Sequence, residues 1–110
     1  MTLAAQRCVP NVLAFNAEQI EAVMPGVPGW SVSGNSLVRS FEFRDYYDTM
    51  AFVNAIAYMT HIQDHHPDML VQYKQCTLRY STHSVGGALS INDFICAAKA
   101  NAIYNERGAA

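Results

Sequence analysis

Alternating apolar residues before each of two predicted helices restrict the fold of this 110-residue chain more than any other feature. Within residues 37–44, Leu37, Phe41 and Phe43 share one parity and mostly polar residues take the other, which is the period of a half-buried strand. Residues 30–33 form a shorter strand pattern, and the Gly-Asn pair between the two stretches suits a tight turn. The sequence therefore predicts an antiparallel hairpin.

A second alternating stretch lies further along the chain and changes parity partway. Residues 69–73 alternate up to Tyr73, which fits a strand core, and residues 76–80 alternate with the opposite parity. Because the parity of a residue sets the face of its side chain, a turn or bulge near Lys74 and Gln75 explains the change better than one uninterrupted strand. This stretch predicts a second hairpin.

Helix starts are indicated at three positions by a capping residue and a polar or acidic residue three positions later: Asn16 and Gln19, Asp45 and Asp48, Ser90 and Asp93. Pro67 disfavours helical dihedral angles at the preceding residue, so the second helix should end at about residues 64–66. The resulting order is α-β-β-α-β-β-α. It predicts an α+β two-layer sandwich, in which a four-stranded antiparallel sheet carries its helices on one face.

Length and composition indicate one domain over residues 1–110, with residues 1–15 peripheral. Hydrophobic residues make up 51% of the chain and charged residues 15%, which supplies enough apolar material for a packed core. A short chain with so few charges is expected to leave apolar surface uncovered. A homo-oligomer would bury that surface.

The charge pattern, the hydropathy and the cysteines exclude several classes of protein. The formal net charge is −2 without any basic stripe, which argues against direct binding to nucleic acid. No apolar stretch approaches the ~20 residues that span a bilayer, and the N-terminus lacks the pattern of a signal peptide. Cys8, Cys76 and Cys96 are widely spaced and form no CxxC motif, which predicts reduced thiols in a cytoplasmic protein.

All four histidines lie within one short part of the sequence. His61 and His65 have the spacing that places two side chains on one helical face, His66 lies where the helix should break, and His83 lies at the end of the last predicted strand. Imidazole exchanges protons near neutral pH, so the cluster is compatible with metal-free acid–base catalysis. A metal site and a set of unrelated histidines remain open on this pattern alone.

The histidines also belong to a longer set of spaced residues: His61, then His65-His66-Pro67, then Tyr73, then Thr82-His83, then Asp93. At these residues, and at Pro28-Gly29-Trp30 and Phe41-Glu42-Phe43, the chain resembles the pterin-4a-carbinolamine dehydratase family. The resemblance extends over about residues 17–102 and favours the acid–base interpretation.

The resemblance implies dehydration of 4a-hydroxytetrahydropterin to the quinonoid dihydropterin, which recycles tetrahydrobiopterin for aromatic amino-acid hydroxylases. It implies catalysis by His65, His66 and His83, with His65 or His66 as the acid and His83 as the base, and it implies neither a metal nor a redox cofactor. The substrate-binding positions that it implies are His61, Asp64, Pro67, Ser81, Thr82 and Ser84. Asp93 and Tyr73 would be structural or supporting residues, and Asp93 is most simply explained as part of a helix cap.

The resemblance further implies a homodimer joined through the sheet or a homotetramer joined through a helical bundle. Two other functions stay open from the sequence. One is a dimerisation cofactor of a homeodomain transcription factor, and the other is a pterin-binding protein in molybdenum-cofactor metabolism.

Overall fold

The computed structural model describes residues 2–107. Its helices and strands, in chain order, are α1 (Ala17–Val23), β1 (Ser31–Ser33), β2 (Ser36–Glu42), α2 (Tyr46–Gln63), β3 (Asp68–Val71), β4 (Gln75–Tyr80) and α3 (Ile91–Glu106). Short 3-10 turns lie at Leu3–Ala5, Met24–Gly26 and His83–Val85. The predicted order α-β-β-α-β-β-α and the α+β class are confirmed.

The four strands form one antiparallel sheet in the order β1-β2-β4-β3. The register pairs Leu37 with Tyr80 and Phe41 with Cys76 across the two central strands. All four side chains are almost completely buried, because residues directly opposite each other in a ladder share one face. The alternation in the sequence therefore identified the core-facing side of β2 and β4.

The helices α2 and α3 cover that buried face. Phe52 and Ile56 of α2 and Phe94 of α3 belong to the same hydrophobic cluster as the central strands. The ring of Phe41 lies 4.8 Å from that of Phe52, a spacing typical of favourable aromatic pairs. Removing such a ring would cost about 3–5 kcal/mol of stability, so this cluster holds the helical layer on the sheet.

All three predicted helix caps form. The Asn16 side chain accepts a hydrogen bond from the Gln19 backbone and completes a capping box, and Ser90 does the same with Asp93. At the other end of α2, Asp64 adopts a left-handed conformation with φ of 52°. This residue turns the chain out of the helix two residues before His66, which is where Pro67 predicted the break.

The alternation predicted Tyr73 in a strand core, but Tyr73 lies between the strands β3 and β4. The strand β3 ends at Val71, and the residues up to Lys74 form the turn to β4, closed by a hydrogen bond from the Gln72 amide to the Gln75 carbonyl (2.8 Å). The parity changes within this turn, so Tyr73 lies outside both strands. Its side chain is 65% exposed, and its ring lies 5.9 Å from that of Tyr46. The predicted turn near Lys74 is confirmed.

The N-terminal segment, residues 8–12, is not peripheral, contrary to our expectation for residues 1–15. The Val9 amide donates to Asn92 Oδ1 (3.0 Å), and Asn92 Nδ2 donates back to the Val9 carbonyl (2.8 Å). The Cys8 amide donates to Gln63 Oε1 (2.9 Å). These contacts fix the segment against the end of α2 and the start of α3. Met1 lies outside the described residues.

Among residues 2–107, no helix has the length and apolar character needed to cross a membrane.

Candidate active site

A cavity of about 490 Å³ lies at the end of the sheet where β3 begins and β4 ends. Its walls come from residues 9–12, 64–68 and 81–84, together with Asn92. The first of these is the N-terminal segment, the second links α2 to β3, and the third follows β4. The cavity has the size and the mixed polar and apolar lining of a small-molecule site.

Nearly all the predicted site residues line this cavity. The three histidines predicted to be catalytic, His65, His66 and His83, are brought together there from two loops. The predicted substrate-binding positions at the same cavity are Asp64, Pro67, Ser81, Thr82 and Ser84.

His61 is the exception, because it is exposed on α2 and does not line the cavity. The spacing of His61 and His65 would place both on one face of a continuous helix. The helix ends at Gln63, however, and the left-handed Asp64 redirects the chain before His65. The two imidazoles therefore do not share a helical face.

His65 is held by a fully buried carboxylate. Its Nε2 lies 2.6 Å from Oδ1 of Asp93, and its side chain is 11% exposed while that of Asp93 is 0% exposed. The imidazole also stacks on the ring of Tyr80, with centroids 5.7 Å apart and planes within 5° of parallel. The backbone amide of His65 donates to the Thr60 carbonyl at 3.3 Å, which fixes the start of the loop.

The second oxygen of Asp93 is satisfied by two other donors. Oδ2 accepts from the Thr82 hydroxyl at 2.7 Å and from the Ser90 amide at 2.9 Å. Because the single Thr82 proton goes to Asp93, the Ser90 hydroxyl donates in turn to Thr82 Oγ1 at 2.7 Å. A buried carboxylate is tolerated only with such partners, and this network gives both oxygens of Asp93 a hydrogen-bond partner.

Asp93 therefore does more than the helix capping that we predicted. It completes the capping box at Ser90, as expected, and it also connects α3 to the loops that carry His65 and Thr82. The spacing of the Ser-x-x-Asp motif revealed the first role. The second depends on contacts 28 and 11 residues away in the sequence, which no local pattern records.

The environment of His65 favours its protonated form. Burial alone opposes a charge on the ring, but the hydrogen bond and the negative charge of Asp93 outweigh it. The pKa of His65 is consequently raised above its ordinary value of 6.5. Asp93 engages Nε2, and no hydrogen-bond partner is found for Nδ1 among residues 2–107.

The loop after β4 places His83 by backbone hydrogen bonds. The Thr82 amide donates to the Ala88 carbonyl (2.9 Å) and the Gly87 amide donates to the Thr82 carbonyl (3.0 Å). Gly86 and Gly87 have φ of 71° and 83°, which glycine adopts without strain. His83 and His66 are both exposed at the cavity, in contrast to the enclosed His65.

Sequence reasoning did not identify Asn92, Asp68 or residues 9–12 as parts of the cavity wall. Asn92 lies within a motif that was explained by capping alone, and its bonds to Val9 join residues 83 positions apart. A metal site was left open by the sequence. In the part of the chain that the structure describes, no group of three His, Cys, Asp or Glu side chains is arranged to hold a metal ion.

Comparison with known proteins agrees with the resemblance in the sequence. The family pattern described as pterin 4 alpha carbinolamine dehydratase matches residues 14–103, a region that begins after the N-terminal segment. A Stenotrophomonas maltophilia (strain K279a) protein is 50% identical over 109 residues, which cover 94% of this chain and 93% of that one. A Xylella fastidiosa (strain 9a5c) protein is 45% identical over 96% of this chain and 95% of its own. Both relatives are provisionally named pterin-4-alpha-carbinolamine dehydratase.

A solved structure has the same fold. The crystal structure described as a transcriptional coactivator/pterin dehydratase from Brucella melitensis aligns with a TM-score of 0.79 and 26% sequence identity. The alignment covers 84% of this chain and 99% of the Brucella chain. From these matches, the chain belongs to the pterin 4 alpha carbinolamine dehydratase family.

Proposed function

We propose that this protein dehydrates 4a-hydroxytetrahydropterin to the quinonoid dihydropterin by acid–base catalysis in the histidine-lined cavity. The observation that carries the proposal is the buried pair of His65 and Asp93, in which the carboxylate raises the pKa of an imidazole that lies in one cavity with two further histidines. Membership of the dehydratase family gives the reaction class.

The reaction removes hydroxide from C4a and a proton from N5. Hydroxide is a poor leaving group, so an acid must protonate the 4a oxygen as the C–O bond breaks and water departs. The N5–H electron pair then forms the C4a–N5 double bond, and a base accepts the proton. These two proton transfers balance the reaction without a redox change, and general acid–base catalysis of this kind contributes about 10²- to 10⁴-fold.

His65 is the better of the two candidates for the acid. Asp93 accepts a hydrogen bond from Nε2 and stabilises the imidazolium, so the proton for the substrate would come from Nδ1. His66 has no carboxylate partner at hydrogen-bonding distance among the described residues. We assign His83 as the base that accepts the N5 proton, because it lies on the other loop of the cavity, and His66 as a ligand to the pterin ring system.

The remaining wall residues would orient the pterin. Asp64 and Pro67 lie on the first loop, and Ser81 and Ser84 lie on the second, where polar groups could pair with the pterin edge. The Thr82 side chain is already bonded to Asp93 and Ser90, so Thr82 would act through its backbone and through the position of Asp93.

The direct test is the rate of dehydration of freshly generated 4a-hydroxytetrahydropterin with and without the purified protein. We expect a large acceleration that disappears when His65 is replaced by Gln and His66 and His83 by Ala. Circular dichroism should show that this triple variant is folded. No acceleration by folded wild-type protein would overturn the proposal, and titration with tetrahydropterin would then show whether a pterin-binding role, such as one in molybdenum-cofactor metabolism, remains.

We place this activity in the cytoplasm, in the recycling of tetrahydrobiopterin for aromatic amino-acid hydroxylases. The quinonoid product is the form that a reductase would return to the tetrahydro state after each hydroxylation. A coupled assay with such a hydroxylase should show faster sustained turnover when the protein is present, and an unchanged rate would contradict this placement.

We also propose that the protein is a homodimer or homotetramer. Three apolar side chains on the outer part of α2 are strongly exposed, namely Tyr47 (84%), Tyr58 (69%) and Ile62 (51%). The edge strand β3 exposes Leu70 in addition (59%), and unpaired edges favour association. Light scattering should give a mass above that of one chain. Tyr58→Glu should lower the measured mass, and Tyr73→Glu should lower it less. A monomeric wild type would contradict this assembly.

The coactivator description of the Brucella protein raises a second role, binding to a transcription factor. The same exposed face of α2 is the feature that favours it here. We rank this role below catalysis, because three histidines line one cavity and a surface role would not require a buried His65–Asp93 pair.

A further inference from the structure

Two thiols contact each other beneath the N-terminal segment, outside the groups that the proton transfers use. The sulfur atoms of Cys8 and Cys96 lie 3.4 Å apart although the residues are 88 positions apart in the sequence. Cys96 is completely buried on α3, while Cys8 is only partly buried. A small reagent would therefore reach the pair from Cys8 and not from Cys96.

The pair is located where the N-terminal segment docks on α3. Cys96 follows Asn92 by four residues, so both side chains project from the same face of the helix. Asn92 holds Val9 through two hydrogen bonds, and the sulfur of the preceding residue, Cys8, contacts that of Cys96. Because the segment around Cys8 is not part of a helix or strand, it can move the short distance that bond formation requires.

The surroundings make Cys8 the more reactive of the two thiols. The hydrogen bond from Cys96 lowers the pKa of the Cys8 thiol, and the positive charges of His65 and Lys99 lower it further against the effect of burial. The pKa of Cys96 is raised by the same hydrogen bond and by its own burial. Because the thiolate is the nucleophile, Cys8 is the residue that attacks an oxidant first, and Cys96 is the partner thiol in contact with it.

Cys76 provides an internal contrast. It is buried in β4, and burial raises the pKa of its thiol. No other cysteine sulfur lies within bonding contact of it among the described residues. Of the three cysteines, Cys8 is the one that is only partly buried and also contacts a partner thiol.

We propose that Cys8 and Cys96 form a dithiol site that hydroperoxides oxidise to an intramolecular disulfide. The Cys8 thiolate attacks one peroxide oxygen, the O–O bond breaks, and a sulfenic acid forms on Cys8 with release of water or an alcohol after protonation. The Cys96 sulfur then attacks the Cys8 sulfur, its thiol proton is lost, and hydroxide leaves as water. Two thiols supply two electrons to one peroxide, so the reaction balances.

The disulfide would join the N-terminal segment covalently to α3 at the rim of the active-site cavity. Val9 and Asn92 both line that cavity, so oxidation would fix part of its wall in place. The modification goes beyond the dehydratase function, and its detection does not depend on that function.

The experiment uses the full chain, treated with a few equivalents of hydrogen peroxide, denatured and alkylated, and then analysed by mass spectrometry. We expect one alkylated thiol, at Cys76, and a peptide pair that links Cys8 to Cys96. The reduced protein should give three alkylated thiols, and dithiothreitol should restore that state. The oxidised protein should also have a higher melting temperature, because the link closes a long loop.

Single variants make the result decisive. Cys76→Ala should still form the link, whereas Cys8→Ser, which alters a partly exposed side chain, should abolish it. In Cys96→Ala the Cys8 sulfenic acid should persist and react with a dimedone probe. Three alkylated thiols after peroxide treatment of the folded wild type, or a link that involves Cys76, would overturn the proposal.

Discussion

At one end of the sheet a cavity of about 490 Å³ lies beside His65 and Asp93, and at the other a cavity of about 650 Å³ lies beside the turn that holds Tyr73. The larger cavity contains one acidic and one basic side chain, Glu42 and Lys74, both exposed. No histidine lines it among residues 2–107.

The two ends differ in what is buried. Beside the turn that holds Tyr73, the buried Thr49 hydroxyl lies 2.9 Å from the backbone carbonyls of Asp45 and Tyr73. At the histidine end, the fully buried carboxylate of Asp93 is hydrogen-bonded to a hydroxyl, a backbone amide and an imidazole. Burial of a charge costs stability unless it is paired, and perturbed groups of this kind concentrate at functional sites. The residues that line the cavity therefore distinguish the candidate active site from the cavity beside Tyr73, and the volumes of the two cavities do not.

The largest expected effect comes from His65→Gln. The amide can still donate a hydrogen bond to Asp93, so the fold should be preserved while the transferable proton is lost. We expect the dehydration rate to fall by about 10²- to 10⁴-fold. His61→Gln is the matched control, since His61 lies outside the cavity, and its rate should be unchanged. Equal losses of dehydration rate in His65→Gln and His61→Gln would show that the position of His65 in the cavity does not matter for the reaction.

Asp93→Asn should destabilise the protein by about 3–5 kcal/mol, because it removes one partner of a buried charged pair.

The raised pKa of His65 also predicts that the free energy of unfolding depends on pH. The stabilisation by the pair is fully present below the unfolded-state value of about 6.5 and is lost as pH rises through the folded-state pKa. Urea unfolding from pH 5 to 9 should show this decline in the wild type and not in the variant. A flat wild-type profile would contradict the assignment.

A smaller effect is expected from Thr82→Val, which leaves Asp93 without its hydroxyl donor. The cost should be about 1–3 kcal/mol, because a buried acceptor loses its partner. Thr77→Val offers a control at an equally short hydroxyl pair, 2.7 Å from Ser40, on the exposed part of the sheet. That change should stay within about 0.5 kcal/mol. Thermal or urea unfolding of the two variants measures the difference directly.

The smallest effect is expected at the turn end. Tyr73→Ala removes an exposed ring and leaves the backbone carbonyl that accepts from Thr49 in place. Both stability and the dehydration rate should stay near wild-type values, within about 0.5 kcal/mol. A large rate loss in a folded Tyr73 variant would mean that the turn end takes part in the reaction.

Local patterns predicted most of the fold because local chemistry determines it. The caps at Asn16, Asp45 and Ser90 and the alternation in β2 depend on residues a few positions apart, and all of them formed. The position of Tyr73 was predicted wrongly because a change in the alternation shows that a turn exists but does not show which residues form it.

The site was predictable only in part, for the same reason. His65, His66 and His83 could be selected from their residue type and spacing, and they meet in one cavity. The second role of Asp93 and the wall formed by residues 9–12 depend on contacts between distant parts of the chain. His61 does not share a helical face with His65, because one left-handed residue after α2 ends the helical spacing between them.

Asp93 raises the pKa of His65, and NMR titration of the His65 imidazole in the wild-type protein and in Asp93→Asn measures this effect. We expect a pKa above 6.5 in the wild-type protein and a downward shift in Asp93→Asn. A wild-type pKa at or below 6.5, or one that the Asp93 substitution leaves unchanged, would show that the carboxylate does not stabilise the imidazolium.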